Sequence, residues 1–434
     1  MTKKTKSRAR ARRERPLRLF MFANLALQFS ACMLLVFSDE GIDLVAATMA
    51  FSLPVLSYFF IGPLPRLLRA DRLLVMITDF LCGLGVVVLY ALSPELGLRH
   101  AVHFALGIGV FAACALCVRR FRRFKLLCLL LAPVSLVLLA LPVLIGREIN
   151  GAKNWISIAG VASFQPSEVT KLALVFVLAQ SFSTLRGLKG MVPGIAFAAA
   201  CLGALMLQKD LGTALLYYLV TLLMFWAASS NVLLTGVGLL GGAGAAVLGY
   251  QLFAHVRTRI AIWRNPWSDA LGKGYQIVQA LTAIASGGFF GVGLGQGESR
   301  VIPAYSTDFI FAVLCEQMGI LVGIAVLLLF AVLVLRGAQL ALASRTAFYA
   351  ILAMSATAFL GLQTFVIIGG VIKLIPLTGV TLPFMSSGGS SMLSCMGLVG
   401  ILCGVSAVVH DEQDADRRMT AVGQEEQKDE KASS

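Results

Sequence analysis

Apolar residues occur along this chain in long blocks that are separated by short polar or basic segments. A bilayer core needs about 20 apolar residues for each helical span, and the sequence supplies such a block about twelve times. The predicted spans lie near residues 17–37, 43–63, 73–93, 98–118, 124–146, 167–186, 191–208, 211–229, 232–254, 309–335, 346–369 and 389–410. The pattern therefore predicts an all-α integral membrane protein with about 12 transmembrane helices.

Basic residues are concentrated in the N-terminal tail and in alternate loops, at 3–18, 66–72, 119–123, 186–189 and 336–345. Lys and Arg are enriched in short cytoplasmic loops, and an even number of spans places both termini on the same side. We therefore expect both termini in the cytoplasm. We expect the basic tail 1–16 to contact anionic lipid and the charged tail 411–434 to be disordered.

The composition supports a membrane protein. Hydrophobic residues make up 58% of the chain and charged residues 13%, whereas soluble domains contain roughly 45–50% and 25%. The net charge of +14 would suggest nucleic acid binding in a soluble protein. Here the loops account for that charge, so we expect no nucleic-acid partner. Cys114 and Cys117 form a C-x-x-C inside an apolar block, where packing is the better interpretation.

Four segments then face the outside: 147–166, 208–210, 255–308 and 370–388. The segment 255–308, here termed the outer loop, is too polar and glycine-rich to cross a membrane. Loops longer than about 15 residues are usually functional or disordered. The outer loop contains Trp263, Trp267 and Tyr275, so we expect an ordered structure along the membrane surface.

Charged residues near or inside the spans are informative, because a charge at mid-membrane costs at least ~2.5–3.5 kcal/mol. Glu168 and Lys171 are three residues apart, so they share a helix face and can pair. The pair either stabilises the helix start or lines a polar cavity. Asp210 either caps the next helix or serves a site. Glu316 and Gln317 lie about two turns inside a predicted span, and we expect their partners on a neighbouring helix.

Asp308 ends the outer loop where a predicted helix begins. Ser, Thr and Asp favour helix N-termini, so capping is one interpretation of this residue and catalysis by its carboxylate is another. The glycine-rich stretch 287–297 lacks the sequence context of a nucleotide site. The run of serine and glycine at 386–391 either presents backbone N–H groups to an anion or forms a flexible cap.

Seven short motifs follow one another between residues 150 and 391. They are NGAKNWI at 150–156, QPSE at 165–168, QKDLGT at 208–213, NPW at 265–267 with GYQ at 274–276, TDFIFA at 307–312, PLTG at 376–379 and PFMSSGGSS at 383–391. In this order they resemble the SEDS family (shape, elongation, division and sporulation), the group of RodA, FtsW and SpoVE. The resemblance implies a ten-helix core at 72–410, preceded by two additional helices at 17–71.

The resemblance also implies a peptidoglycan glycosyltransferase that joins lipid II units at the outer face of the bacterial cytoplasmic membrane and releases undecaprenyl diphosphate. The family's essential aspartate falls on Asp308, and its conserved Glu and Lys fall on Glu168 and Lys171. One inverting displacement needs a general base, for which Asp308 is the candidate, and cations for the diphosphate. The candidate substrate-binding residues are Glu168, Lys171, Lys153, Arg259, Asp210, Lys373 and Ser390, with Lys273 as a further cation.

The expected partners are lipid II, membrane lipid and a class B penicillin-binding protein that acts as the transpeptidase. The sequence establishes no cofactor, and a divalent cation (Mg²⁺ or Mn²⁺) held by Asp308 or Glu168 is left open. Departures from the family pattern, for example Lys209 and Ser306, leave the subgroup open. A lipid II flippase and a non-catalytic scaffold for the transpeptidase are the alternatives. The motifs crowd the outer half of the predicted bundle, which favours the enzyme.

Overall fold

The structure is a computed structural model that describes residues 3–38, 41–149, 152–158, 162–183 and 187–433. Within these ranges most residues are helical. The helices are α1 (Lys3–Val36), α2 (Leu44–Ile61), α3 (Pro63–Leu68), α4 (Arg72–Leu92), α5 (Pro94–Arg120), α6 (Phe124–Ile145), α7 (Pro166–Phe182), α8 (Leu188–Leu207), α9 (Leu211–Ser229), α10 (Val232–Leu252), α11 (Ala254–Arg264), α12 (Tyr275–Gly287), α13 (Ile310–Ala343), α14 (Ala347–Val371) and α15 (Gly389–Ser433).

Eleven helical segments among the described residues are long and apolar enough to cross a bilayer, which confirms an all-α membrane protein. The twelfth predicted span, near 167–186, corresponds to α7. This helix has 17 residues, the lower limit of about 17 for a span. Most of α7 is buried against α6, α8 and α14. The neighbouring helices therefore enclose α7, and little of its surface is left for lipid.

Two small sheets interrupt the helical pattern, and the sequence analysis did not predict them. Strands β1 (Phe37–Ser38) and β2 (Gly41–Ile42) pair between α1 and α2. Strands β3 (Arg147–Ile149), β4 (Ala152–Ile158) and β5 (Ala162–Phe164) form an antiparallel sheet in the order β3-β4-β5 between α6 and α7. The backbone N–H of Lys153 in β4 donates to Gln208 O at 2.9 Å. The larger sheet therefore lies at the end of the bundle where α7 and α9 begin, which we term the site end.

The outer loop is ordered, as the sequence predicted. It consists of α11, a 3-10 turn at Pro266–Asp269, α12, the glycine-rich stretch and a second 3-10 turn at Ser299–Val301. The following helix α13 is not the continuous span that was expected. Gly319 has φ 84° and ψ 164°, which breaks α13 into two helical parts.

The C-terminal helix α15 continues to Ser433, whereas the sequence predicted a disordered tail from residue 411. Ion pairs give the physical reason for the first turns of this extension. Arg69 contacts Asp411 at 2.5 Å, Arg119 contacts Asp411 at 3.2 Å, and Arg345 pairs with Asp416. Three basic loop segments thus meet acidic residues of α15 at the end of the bundle opposite the site end.

The two additional N-terminal helices, α1 and α2, are here termed the N-terminal hairpin. The buried carboxylate of Asp79 in α4 holds them in place through hydrogen bonds. Asp79 accepts hydrogen bonds from Asn24 Nδ2 at 2.6 Å and Gln28 Nε2 at 3.3 Å, and Ser57 of α2 faces the same carboxylate. All four side chains are buried. Because lipid offers no alternative partner, this cluster binds the hairpin to the rest of the bundle.

We expect Asn24→Leu to lower the free energy of unfolding by about 1–3 kcal/mol, because it removes a donor from a buried carboxylate. Thermal unfolding of the detergent-purified protein measures this change. Ser30→Leu, at an exposed position of the same helix, is the control and should leave the midpoint unchanged. Equal midpoints for the two variants would contradict the docking role of Asp79.

Candidate functional site

Asp308 lies at the site end, in the last turn of the outer loop, and is half-buried. It does not cap the helix that follows, as one interpretation of the sequence had it. Helix α13 begins at Ile310, and Phe309 occupies the cap position without a side-chain hydrogen bond. Burial raises the pKa of the Asp308 carboxyl, and a hydrogen bond with Thr307 and the charge of Arg259 oppose that rise. Arg259, rather than the terminus of α13, is therefore the positive charge that favours the ionised form of this carboxylate.

Arg259 is the predicted cation that the structure places beside Asp308. Its Nη1 donates to Thr378 O at 2.9 Å, which fixes the guanidinium against the PLTG motif. Gly379 lies between the two charges. A Cβ built on this glycine would be 3.5 Å from Arg259 Nη2 and 3.6 Å from Asp308 Oδ2, and its φ of +77° also favours glycine. The absence of a side chain at 379 therefore keeps the space between the base candidate and the cation open.

Asp210 is both a cap and a junction, so the capping interpretation is correct but incomplete. Its Oδ1 accepts from Thr213 N at 3.2 Å in the first turn of α9. Its Oδ2 accepts from Asn154 Nδ2 and Gln165 Nε2, each at 2.8 Å. Burial lowers the pKa of Arg259, and the carboxylates of Asp308 and Asp210 both oppose this shift. Arg259 thus lies in the field of two carboxylates from separate motifs.

Glu168 and Lys171 form the predicted ion pair, with Lys171 Nζ 2.7 Å from Glu168 Oε2. The side chain of Lys171 is 1% exposed, and its Nζ also donates to Gln363 Oε1 at 2.9 Å. Ser394 of α15 donates to Glu168, and Gln363 Nε2 donates to Thr381 O at 2.8 Å. The pair therefore connects α7, α14 and α15 inside the bundle, which favours the stabilising interpretation over the lining of an open cavity.

The 386–391 run contacts the chain next to Asp308. Ser387 N donates to Ser306 O at 2.8 Å, and Ser386 Oγ donates to Thr307 O at 2.6 Å. Ser390 is half-buried in the first turn of α15. This segment is therefore fixed against the outer loop, which disagrees with the interpretation as a flexible cap.

The other predicted cations lie elsewhere. Lys153 Nζ donates to Val143 O at 2.8 Å, at the C-terminal end of α6, where a cation favours the helix dipole. Lys373 is half-buried and has φ 63°, with its carbonyl held by Trp263 Nε1 at 3.1 Å. Lys273 is exposed. Their roles in substrate binding stay predictions.

The sequence analysis missed His255, which the structure places near Arg259. Burial lowers the pKa of His255, and the charges of Arg259 and Lys209 lower it further. The spacing of four residues between His255 and Arg259 was the available signal, because it puts both side chains on one face of α11. Gln363, which bonds Lys171, had no such signal because it lies almost 200 residues away in sequence.

The chain is similar to proteins of known name over most of its length. The family model for cell cycle proteins of the FtsW, RodA and SpoVE type matches residues 71–411. The peptidoglycan glycosyltransferase RodA of Mycobacterium tuberculosis is 35% identical over 365 residues, covering 77% of this chain and 78% of that protein. The stage V sporulation protein E of Bacillus subtilis is 35% identical over 356 residues, covering 77% and 96%.

Solved structures of the same fold are also found. A chain of a peptidoglycan synthase complex, solved in work on the coordination of polymerization and crosslinking, has 29% sequence identity and a TM-score of 0.65 and covers 79% of this chain and 98% of that one. The rod shape determining protein RodA of Thermus thermophilus has 28% identity and a TM-score of 0.58, with coverage of 79% and 98%. The family match starts at residue 71, so the N-terminal hairpin lies outside it.

We expect Lys171→Met to destabilise the protein by about 3–5 kcal/mol, because it leaves Glu168 as an unpaired buried charge. Adding Glu168→Gln to this variant should restore part of the loss, since the unpaired charge is then removed. Thermal unfolding compares the two, with Lys189→Met as a control at an exposed position. A Lys171→Met variant as stable as the wild type would show that the pair carries no structural role.

Proposed function

Because the chain belongs to the FtsW, RodA and SpoVE family of cell cycle proteins, we propose that it polymerises lipid II into glycan strands at the outer face of the bacterial cytoplasmic membrane. It is a multi-pass membrane protein and a peptidoglycan glycosyltransferase. The observation that carries the detailed proposal is the geometry around Asp308. A half-buried carboxylate lies next to a fixed guanidinium, at a point where residues from distant motifs meet.

In the proposed reaction Asp308 takes the proton from a sugar hydroxyl of one lipid II. The freed oxygen attacks the anomeric carbon of the second lipid II and forms the new C–O bond. The bond from that carbon to the diphosphate breaks, and undecaprenyl diphosphate leaves with the electron pair. One displacement inverts the configuration of the anomeric carbon, so the reaction needs a general base and no covalent nucleophile.

The raised pKa of Asp308 suits this role. A general base works best when its pKa is close to the working pH, and burial moves the Asp308 pKa in that direction. Arg259 opposes the shift and keeps the carboxylate available in its ionised form. The same guanidinium is the proposed electrostatic partner of the diphosphate, because fixed cations stabilise charge that develops on a leaving group.

We propose a divalent cation at this site separately, because the reaction described above does not require one. Mg²⁺ is commonly held by one or two carboxylates together with substrate phosphates. Of the two predicted carboxylate ligands, Glu168 is paired with Lys171 inside the bundle, so Asp308 is the one we propose for such a site. Among the described residues, no three His, Cys, Asp or Glu side chains cluster as a metal site. A cation at Asp308 would therefore depend on the substrate for its remaining ligands.

Orientation and partner follow from the same reasoning. The basic loops at 66–72, 119–123 and 336–345 meet α15 at the end opposite Asp308, and basic loops favour the cytoplasm. We therefore propose that Asp308 faces outward and both termini face inward. The similar chain from a peptidoglycan synthase complex supports a class B penicillin-binding protein as partner. A lipid II flippase is less well supported, because the charged site lies at one end of the bundle.

We expect Asp308→Asn to lower glycan polymerisation by about 10²–10⁴-fold, the usual contribution of a general base, while the fold is kept. The assay uses purified protein, lipid II and the cognate transpeptidase, with glycan strands measured by gel electrophoresis. Asp269→Asn, at an exposed position of the same outer loop, should retain full activity. A fully active Asp308→Asn, or a wild type that forms no glycan, would overturn the proposal.

The pH dependence provides a second test. Activity requires ionised Asp308 and therefore falls as the pH drops through its pKa. Arg259→Gln removes a charge that lowers this pKa, so the acidic limb of the rate profile should move to higher pH. Arg259→Lys retains the charge and should shift the limb less. Arg264→Gln, at an exposed position of α11, is the control. An acidic limb that stays in place in Arg259→Gln would contradict the assignment.

A further inference from the structure

The break in α13 at Gly319 is filled by the glycine-rich stretch of the outer loop. Val292 N donates to Glu316 O at 2.9 Å, and Gly293 N donates to Gln317 O at 3.0 Å. On the other side of the break, Ile320 N donates to Gly288 O at 2.9 Å. These bonds use backbone groups that a continuous helix would have paired internally. The first part of α13, from Ile310 to the break, is therefore tied to the outer loop.

Glu316 adds a side-chain contact to this connection. Its Oε1 accepts from Glu298 N at 3.1 Å, and its Oε2 accepts from Ser299 N at 3.0 Å. Glu316 is 4% exposed. A Cβ built on Gly297 would lie 2.7 Å from the carboxylate carbon of Glu316, and Gly297 has φ +99°. Both carboxylate oxygens thus accept hydrogen bonds from consecutive backbone N–H groups. Gly297 has no side chain that would collide with this carboxylate. This partner lies in the outer loop, whereas the sequence analysis expected it on a neighbouring helix.

The contact closes a loop of the chain that contains Asp308. Residues 298 and 299 are joined to residue 316, and Asp308 lies about midway between them. Inside this loop, Tyr305 N donates to Ile302 O at 3.1 Å, and Thr307 N and Phe309 N donate to Ala304 O at 3.1 and 3.3 Å. Consecutive tight turns therefore connect Glu298 and Ser299 to Asp308 and leave little conformational freedom in the backbone between them.

We propose that Glu316 is a positioning residue. Its two hydrogen bonds to the backbone of Glu298 and Ser299, here termed the clasp, set the position of the Asp308 carboxylate relative to Arg259. The inference rests on the proposed role of Asp308 as the base. The serine contacts at 386–387 hold the carbonyls of Ser306 and Thr307 from one side. Glu316 holds residues 298 and 299 at the base of the loop.

The chemistry of the contact explains why a carboxylate is required. The two N–H donors bond to different oxygens of Glu316, and charged acceptors form stronger hydrogen bonds than neutral ones. A glutamine has one acceptor oxygen, and its NH₂ group would face one of the N–H donors. Glu316→Gln, although nearly identical in shape, should therefore release one side of the clasp.

The test measures kcat and KM for lipid II in the purified full-length chain with its transpeptidase. Displacement of a catalytic group by about 1 Å can cost about 100-fold in rate. We expect kcat to fall by about 10–100-fold in Glu316→Gln and in Gly297→Ala, with KM for lipid II little changed. Because the two changes disturb one contact, the double variant should be no worse than the more impaired single variant.

Gly295→Ala is the matched control. Gly295 also has a positive φ, of +75°, but a Cβ there meets Ala91 O at 3.5 Å, an ordinary contact that does not involve Glu316. This variant carries similar backbone strain and should keep kcat within a few-fold of the wild type. Hydrogen exchange of residues 298–309 gives a readout independent of activity, and it should be faster in Glu316→Gln and Gly297→Ala than in Gly295→Ala.

The outcomes separate this inference from the proposed function. Faster exchange at 298–309 with wild-type kcat would overturn the positioning role and leave a structural contact. Unchanged exchange and unchanged kcat would overturn the clasp itself. An equal loss in Gly295→Ala and Gly297→Ala would assign the effect to strain and also overturn it. If Glu316→Gln does not fold, Gly297→Ala and its control decide the matter. An active Asp308→Asn would instead refute the proposed base, and hydrogen exchange would still test the clasp.

Discussion

A lipid environment offers no hydrogen-bond partner to a buried polar group, so partners from another part of the chain stabilise it. This constraint determines much of the tertiary structure. Asp79 joins the N-terminal hairpin to α4, and Glu168 joins α7 to α15. Glu316 joins the first part of α13 to the outer loop. Each carboxylate connects elements that are distant in sequence, and Glu168 and Glu316 do so for elements next to the site.

Asp308 differs from these groups in a way that suits chemistry. It is half-buried, and the cation beside it is held by a backbone carbonyl rather than by Asp308 alone. Burial therefore raises the pKa of this carboxylate, and the carboxylate is not enclosed in a buried hydrogen-bond network as Glu168 is. Gly379 leaves room between Asp308 and Arg259. A buried ion pair such as Glu168 and Lys171 stabilises the bundle, whereas the more open arrangement at Asp308 leaves the base able to meet a substrate.

The sequence predicted the features that depend on local pattern. Apolar blocks gave eleven spanning helices and the shorter α7, and a spacing of three residues gave the pair of Glu168 and Lys171. Features that depend on distant contacts were not predictable in this way. The break at Gly319 depends on pairing with residues 288–293. The helical start of the C-terminal extension depends on arginines at or just after the C-terminal ends of α3, α5 and α13.

The same distinction between local pattern and distant contacts applies to the residues of the site. Motif order identified Asp308, and the basic residues at the expected outer face could be named as candidates, but sequence alone gave no ranking among them. Burial and position separate them, because Lys171 is enclosed, Lys153 binds a helix end and Arg259 lies beside Asp308. The capping interpretation of Asp308 was wrong by one residue. The exact residue at which α13 begins depends on the turns at 302–309, and a periodic sequence pattern does not predict such turns.

Chemical rescue tests the central claim, that the carboxylate of Asp308 removes the proton from the attacking hydroxyl. In an Asp308→Ala variant, a small carboxylate such as formate can enter the space left by the side chain. The account predicts that polymerisation by this variant rises with formate concentration and does not respond to chloride at equal ionic strength. A folded Asp308→Ala variant that binds lipid II but gains no activity from formate would contradict it.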